Sequence, residues 1–390
     1  MNPSASGWVK KLLREVSKDK ELLNLKEEAL YNKLRLCGFI YGSNVKILSK
    51  SINSKDFTEE ERSKTNLCLG LLYVHASSNS KTPFSDSVID FYKAINELKT
   101  SFFQDILGSK KTSEQLEKII HKRIQIDDNV LTKNFNYFII NALLFVDILA
   151  FKKFLENNTI SIDYIKNIER AIESITLDVL NSKVTKNTYD ESLIKLFESS
   201  LRFQNNQHLD YKSAIEFIST DLEKFYLLDL ACMATWGDRI IDADEQQFIE
   251  KLGIDLNLDS EKTNASIAAV NNFYSINKDN IALLSSKNIV QSFYKNSSKM
   301  VSKLITRNSK RLYQELKDSK ELLVLLSQST RRDLKPEEQK KVQEQLLDIF
   351  KSIPSLAIFI LPGGALLLPL VVKFIPKLLP SAFDENRVEE

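Results

Sequence analysis

From Ile353 to Val372 the chain reads IPSLAIFILPGGALLLPLVV, without one charged side chain. Twenty helical residues at about 1.5 Å each would cover about 30 Å, the thickness of a hydrocarbon core. Lys351 and Lys373 bracket the stretch. Yet Pro354, Pro362, Pro369, Pro376 and Pro380 punctuate it and its exit, with Gly363 and Gly364 between. A proline inside a helix costs about 3 kcal/mol or more. Pro362, Pro369 and Pro376 are seven apart, so they stay within about 20° of one helix face. Each frees the carbonyl four residues earlier, and in lipid such a carbonyl must find a partner. The face carrying Pro362, Pro369, Pro376 and Pro380 is therefore predicted to turn toward another helix, water or an ion; the span and partner-face candidates are Pro354, Pro362, Gly363, Gly364, Pro369, Lys373, Pro376 and Pro380. One arrangement is a single proline-kinked transmembrane helix. The other is a re-entrant hairpin turning at Pro362-Gly363-Gly364. Lys373 either serves that face or snorkels to the head groups.

The rest of the chain has few breakers. Nine Gly and eight Pro in 390 residues, with many Leu, Ile, Lys and Glu, predict an all-α fold: a multi-helix soluble body followed by the kinked span. Residues 161–180 carry Ile165, Ile168, Ile172, Ile175 and Val179 on one stripe, with Ser161 placed to cap the start. Further helical stripes occur near 22–36, 112–124, 138–155, 212–233 and 337–353. Polar linkers are expected at 77–83, 181–189 and 205–207. Segment 138–155 is strongly apolar with Asp147 inside it; too short to cross a bilayer, it reads as a buried core helix. Segments 138–155 and 225–252 share a loosely similar pattern, pointing to duplicated helical units. At the N-terminus Lys10, Lys11 and Arg14 interrupt any signal-peptide core. An amphipathic helix with Trp8, Val9, Leu12, Leu13 and Val16 packed on the body is expected instead. The expected layout is a helical region over 1–130, a second over 131–316, a distinct segment over 317–383 containing the span 353–372, and a short polar tail over 384–390.

Function classes narrow by exclusion. A net charge of +2 gives no global electrostatic case for nucleic acid, and no DNA partner is expected. Cys37, Cys68 and Cys232 are odd in number and widely spaced, which fits buried reduced thiols. His75, His121 and His208 form no metal or hydrolase motif. The adjacent pair Gly363-Gly364 is too little for a phosphate-cradling loop. No nucleophile–base pair is readable, so no catalytic residue is assigned and no enzyme is expected.

One acidic cluster stands out, in TWGDRIIDADEQQFIEKLG, residues 235–253. Asp238, Asp242, Asp244 and Glu245 lie where one helix should end and the next begin. Either they cap, with Asp242 accepting from the next first turn and Glu245 reaching back, or they hold a divalent cation. Gly253 is expected to end that second helix in a left-handed conformation.

Residues 226–258 resemble the TerB-like helical domain of tellurite resistance, through Asp238, Ile240, Ile241, Asp244, Glu245, Leu252 and Gly253, with Arg239 where that family has glycine. The resemblance implies metal binding at the acidic positions. Residues 322–383 resemble the LETM family, the leucine-zipper/EF-hand transmembrane proteins of the mitochondrial inner membrane. The matching residues are Asp348, Phe350, Pro354, Leu367, Leu368, Pro369, Lys373, Phe374, Pro376, Leu379, Pro380, Ser381 and Phe383. A TerB-like body followed by such a segment is also similar to bacterial proteins described as LETM-related and biofilm-associated. These resemblances imply a membrane-anchored protein of ion or envelope homeostasis or of biofilm formation. The alternatives are an oligomeric cation/proton transporter and a ribosome-associated membrane tether. Arg331, Arg332, Lys335, Lys340, Lys341 and Lys351 precede the span, while Lys373, Lys377 and Arg387 follow it. That bias predicts the N-terminal body on the cytoplasmic side. The resemblances imply a bacterial inner-membrane location, and the proline face is expected to associate with itself, as a homo-oligomer, or with a partner.

Overall fold

A computed structural model describes residues 1–78, 80–98, 112–124, 141–182, 211–235, 243–277, 289–329, 332, 334–353, 356, 359 and 367–375. Among them every regular element is a helix and there is no strand. The helices run α1 (Trp8–Val16), α2 (Lys20–Leu23), α3 (Glu27–Cys37), α4 (Glu59–Ser77), α5 (Phe84–Leu98), α6 (Thr112–Ile124) and α7 (Leu144–Asn157). They continue with α8 (Ile162–Ser182), α9 (Tyr211–Ile215), α10 (Asp221–Thr235), α11 (Ala243–Asp255) and α12 (Ser260–Asn277). The last five are α13 (Ile289–Arg307), α14 (Ser309–Lys317), α15 (Lys320–Gln328), α16 (Pro336–Ser352) and α17 (Leu368–Phe374).

Two apolar cores form. The first draws on residues from Trp8 to Tyr274, the second on residues from Val301 to Ile375. In the first, α4 and α10 are the central helices, buried nearly all round, as expected for helices without a single apolar face. α4 packs on α7, α6, α5 and α2; α10 packs on α8, α12 and α11. α1 buries Trp8, Val9, Leu12 and Val16 on this core, as its stripe predicts. Glu117 of α6 fastens it by accepting from Gly7 N at 3.0 Å and Val9 N at 3.1 Å. Those are amides of the first turn, which have no partner within the helix.

Local chemistry sets the boundaries. Thr58 and Glu61 close a reciprocal capping box at the start of α4. Ser161 Oγ accepts from Asp163 N at 3.1 Å at the start of α8. Gly38 ends α3 at φ 80°, a conformation that costs a residue with Cβ about 1–2 kcal/mol. Two expected helices are broken. Stripe 22–36 divides at Asn24–Lys26, and stripe 212–233 divides at residues 216–220, where Glu223 accepts from Ser219 N and Thr220 N, both at 2.9 Å, and starts a new helix.

Gly253 differs from the expected left-handed cap. α11 runs through it, and a Cβ there would lie 2.4 Å from Thr263 Oγ1 of α12. The glycine allows the two helices to approach. The helix ends instead at Asn257, φ 55°, with Leu258 N donating to Gly253 O and Asn257 N to Ile254 O, both at 2.9 Å. That is a Schellman ending with asparagine in glycine's place.

Candidate functional site

The second core contains the described part of the apolar stretch. Ile353, Leu356, Phe359, Leu367, Leu368, Val371 and Ile375 are all buried against α13 to α16. Phe350 and Phe359 stack with ring centres 5.0 Å apart, and α17 packs along α13. The single helix expected across 353–372 has no counterpart among the described residues. Ile353 is extended (φ −116°, ψ 100°), as a residue before proline prefers. Pro369 lies in the first turn of α17, where no N–H is needed and the fixed φ suits a helix start. Among the described residues no helix is long and apolar enough to cross a membrane. Pro354, Pro362, Gly363, Gly364, Pro376 and Pro380 lie outside them, and Lys373 is placed only as a residue of α17.

Asp238 and Asp242 of the acidic cluster also lie outside the described residues. Asp244 is placed only as a residue of the first turn of α11, and Glu245 beside it is 1% exposed. Among the described residues no group of three or more His, Cys, Asp or Glu is arranged to hold a metal ion. The three cysteines are buried and free of disulfides, and burial pushes the Cys37 thiol up to about 12. A thiol held protonated in this way is a poor nucleophile.

Two buried clamps hold the first body. Asp229 of α10 accepts from Arg35 Nε at 2.6 Å, Arg35 Nη2 at 2.9 Å and Tyr31 Oη at 2.7 Å. Asp147 of α7 accepts from Arg123 Nε at 2.6 Å, Arg123 Nη2 at 2.7 Å and Tyr92 Oη at 2.9 Å. The two segments with similar helical patterns thus each carry one carboxylate gripped by an arginine fork and a tyrosine, Asp147 in the first turn of α7 and Asp229 in the middle of α10. Burial raises the Asp229 carboxyl, against the charge and hydrogen bonds of Arg35.

The seam between the two bodies is polar. Arg307 at the end of α13 donates through Nη1 to Glu61 Oε2 at 2.7 Å. Glu61 also accepts from Ser4 Oγ at 2.6 Å and Thr58 N at 2.9 Å. Lys303 Nζ donates to Phe57 O at 3.1 Å. Burial works to raise the Glu61 carboxyl, but Arg307, Ser4 and Thr58 outweigh it and hold it below its ordinary range. Glu59, in the same first turn of α4, is pushed up to about 7 by lost hydration, against the pull of Arg62 and Lys299 and a hydrogen bond from the Asn44 backbone. Burial and Arg62 lower the Lys303 ammonium, with Asp56 and Glu61 opposing.

The balanced total charge hides an asymmetry. Residues 289–375 carry 15 Lys and Arg against 8 Asp and Glu, a net +7, which leaves the remainder of the chain at −5. On α13, Lys299, Lys303 and Arg307 recur at four-residue steps and so share one helix face. Charge counted by segment and at helical spacing would have revealed both features, which a whole-chain total averages away.

Residues 334–390 match the family model described as LETM1-like, RBD. No curated protein and no solved structure matches this chain. The match spans α16 and α17, which are half of the helices that build the second core around α13. The chain is therefore all-helical among its described residues and LETM1-like over residues 334–390.

Proposed function

We propose that this chain is a non-enzymatic, LETM1-like helical protein that docks on the ribosome through its C-terminal unit. The observation that carries the reading is a match to a ribosome-binding-domain model over residues 334–390, directly after the basic residues 289–333, which carry 10 Lys and Arg against 4 Asp and Glu. Ribosomal RNA presents a dense row of phosphates, and lysines and arginines bind such a row by releasing its counterions. The affinity then falls steeply with salt. Co-sedimentation of the full chain with purified ribosomes between about 50 and about 200 mM salt tests this. Binding that weakens over that range is expected. No sedimentation at the low end refutes the reading.

A second reading adds membrane attachment, favoured by the charge-free stretch 353–372. On it the N-terminal body lies at the cytoplasmic face of a bacterial inner membrane and serves ion or envelope homeostasis or biofilm formation. Resistance of the intact chain to carbonate extraction, with release of a chain truncated at Ser352, is the expected result. An intact chain washed off by alkali removes this second reading and leaves ribosome docking unaffected.

A further inference from the structure

We propose that the first turn of α4 is an electrostatic latch: its Glu61 pairs with Arg307 at the end of the α13 cation row Lys299, Lys303 and Arg307, and its release frees that row for an RNA phosphate backbone. The identity of the polyanion rests on the ribosome reading; the latch itself rests on the seam.

The two bodies have separate apolar cores, and the hydrogen bonds described across the seam are polar contacts of Arg307 and Lys303. The Arg307–Glu61 pair is also incompletely made. In both clamps of the first body the guanidinium grips its carboxylate with two N–H groups. Arg307 uses Nη1 alone, and its Nε and Nη2 are buried with no hydrogen-bond partner among the described residues. Glu61 spends its other contacts on the body side, accepting from Thr58 N through Oε2 and from Ser4 Oγ through Oε1. A guanidinium fork with idle donors fits a phosphate, which accepts two parallel N–H bonds.

Opening costs the body side little, since Glu61 keeps its bonds to Thr58 and Ser4. It leaves Arg307 without its carboxylate, and like charges four apart on a helix repel. An incoming phosphate backbone neutralises the whole row, whereas Glu61 neutralises it at Arg307. The opposite net charges of residues 1–288 (−3) and 289–390 (+5) favour the closed latch when no polyanion is present.

The test uses the full chain with Glu61→Gln. Glutamine at the third position of a helix still closes a capping box, so α4 keeps its start while the charge pairing is lost. Two quantities are measured: hydrogen exchange at residues 298–307 without RNA, and affinity for a labelled single-stranded RNA at low salt. Exchange is expected to rise, and affinity to tighten about tenfold if the latch is closed in about nine of ten wild-type molecules. Arg307→Gln opens the same latch but removes a cation from the row; its exchange should rise with no gain in RNA affinity over wild type. Unchanged exchange in Glu61→Gln overturns the latch, and unchanged RNA affinity overturns the shielding. If Glu61→Gln gains RNA affinity while neither protein sediments with ribosomes, the latch stands and the ribosome reading falls.

Discussion

Replacing Asp229 by leucine removes the acceptor at the centre of the first core. The carboxylate is fully buried, the Arg35 side chain is 11% exposed, and Tyr31 is 1% exposed. Breaking a buried ion pair by deleting one partner costs about 3–5 kcal/mol, because the surviving charge stays desolvated. Orphaning the Tyr31 hydroxyl adds about 1–3 kcal/mol. Arg35 keeps Ser266 Oγ at 2.7 Å and Asn32 Oδ1 at 3.0 Å, which favours the lower part of the combined range, roughly 4 kcal/mol. Arg35→Met should cost less, because burial already favours the protonated form of Asp229 and Tyr31 still donates to it. Joining both substitutions leaves no unpaired charge, so the double variant should fall short of the summed single costs by about 2 kcal/mol or more. Urea unfolding followed by the fluorescence of Trp8, which lies in this core, reads the stability. Hydrogen exchange in α3 and α10 assigns the transition. An Asp229→Leu cost under about 1 kcal/mol, or a double variant equal to the sum, would refute the clamp as a coupled unit.

Gly38→Ala forces a Cβ to 1.9 Å from the Ser43 carbonyl oxygen and 2.6 Å from the Phe273 ring, at φ 80°; a loss of at least about 2 kcal/mol is expected in the same urea assay. Glu59 binds its proton up to about pH 7 in the fold but releases it near the ordinary carboxylate value when unfolded. The folded state therefore holds more protons between those values, and its stability contribution falls as pH rises through that window. Glu59→Gln should melt higher than wild type at pH 8 and the same near pH 4, with Arg62, Lys299 and the Asn44 amide facing the site in both; equal melting points at pH 8 would count against the shift.

The sequence by itself determined the helices, because apolar spacing, capping residues and breakers act within a few residues. Residues 112–124 form the helix their stripe predicts, and α1 buries the side its stripe marks. Where short-range signals conflicted, packing decided. Gly253 reads as a stop signal, yet it serves the close approach of α12, a contact that spacing along one helix cannot reveal. Pro369 reads as an interior kink, yet it opens a short helix. The prolines constrain only their own backbone, so they are compatible with either arrangement.

Charge partners belonged to the tertiary structure alone. Asp147 and Asp229 are conspicuous in apolar helices, but their arginines lie 24 and 194 residues away. Glu61 is legible as half of a capping box; that it also meets Arg307, 246 residues on, depends on how the two bodies dock. Coulomb attraction has no sequence period. It acts wherever the fold brings opposite charges together, and only the assembled helices decide where that is.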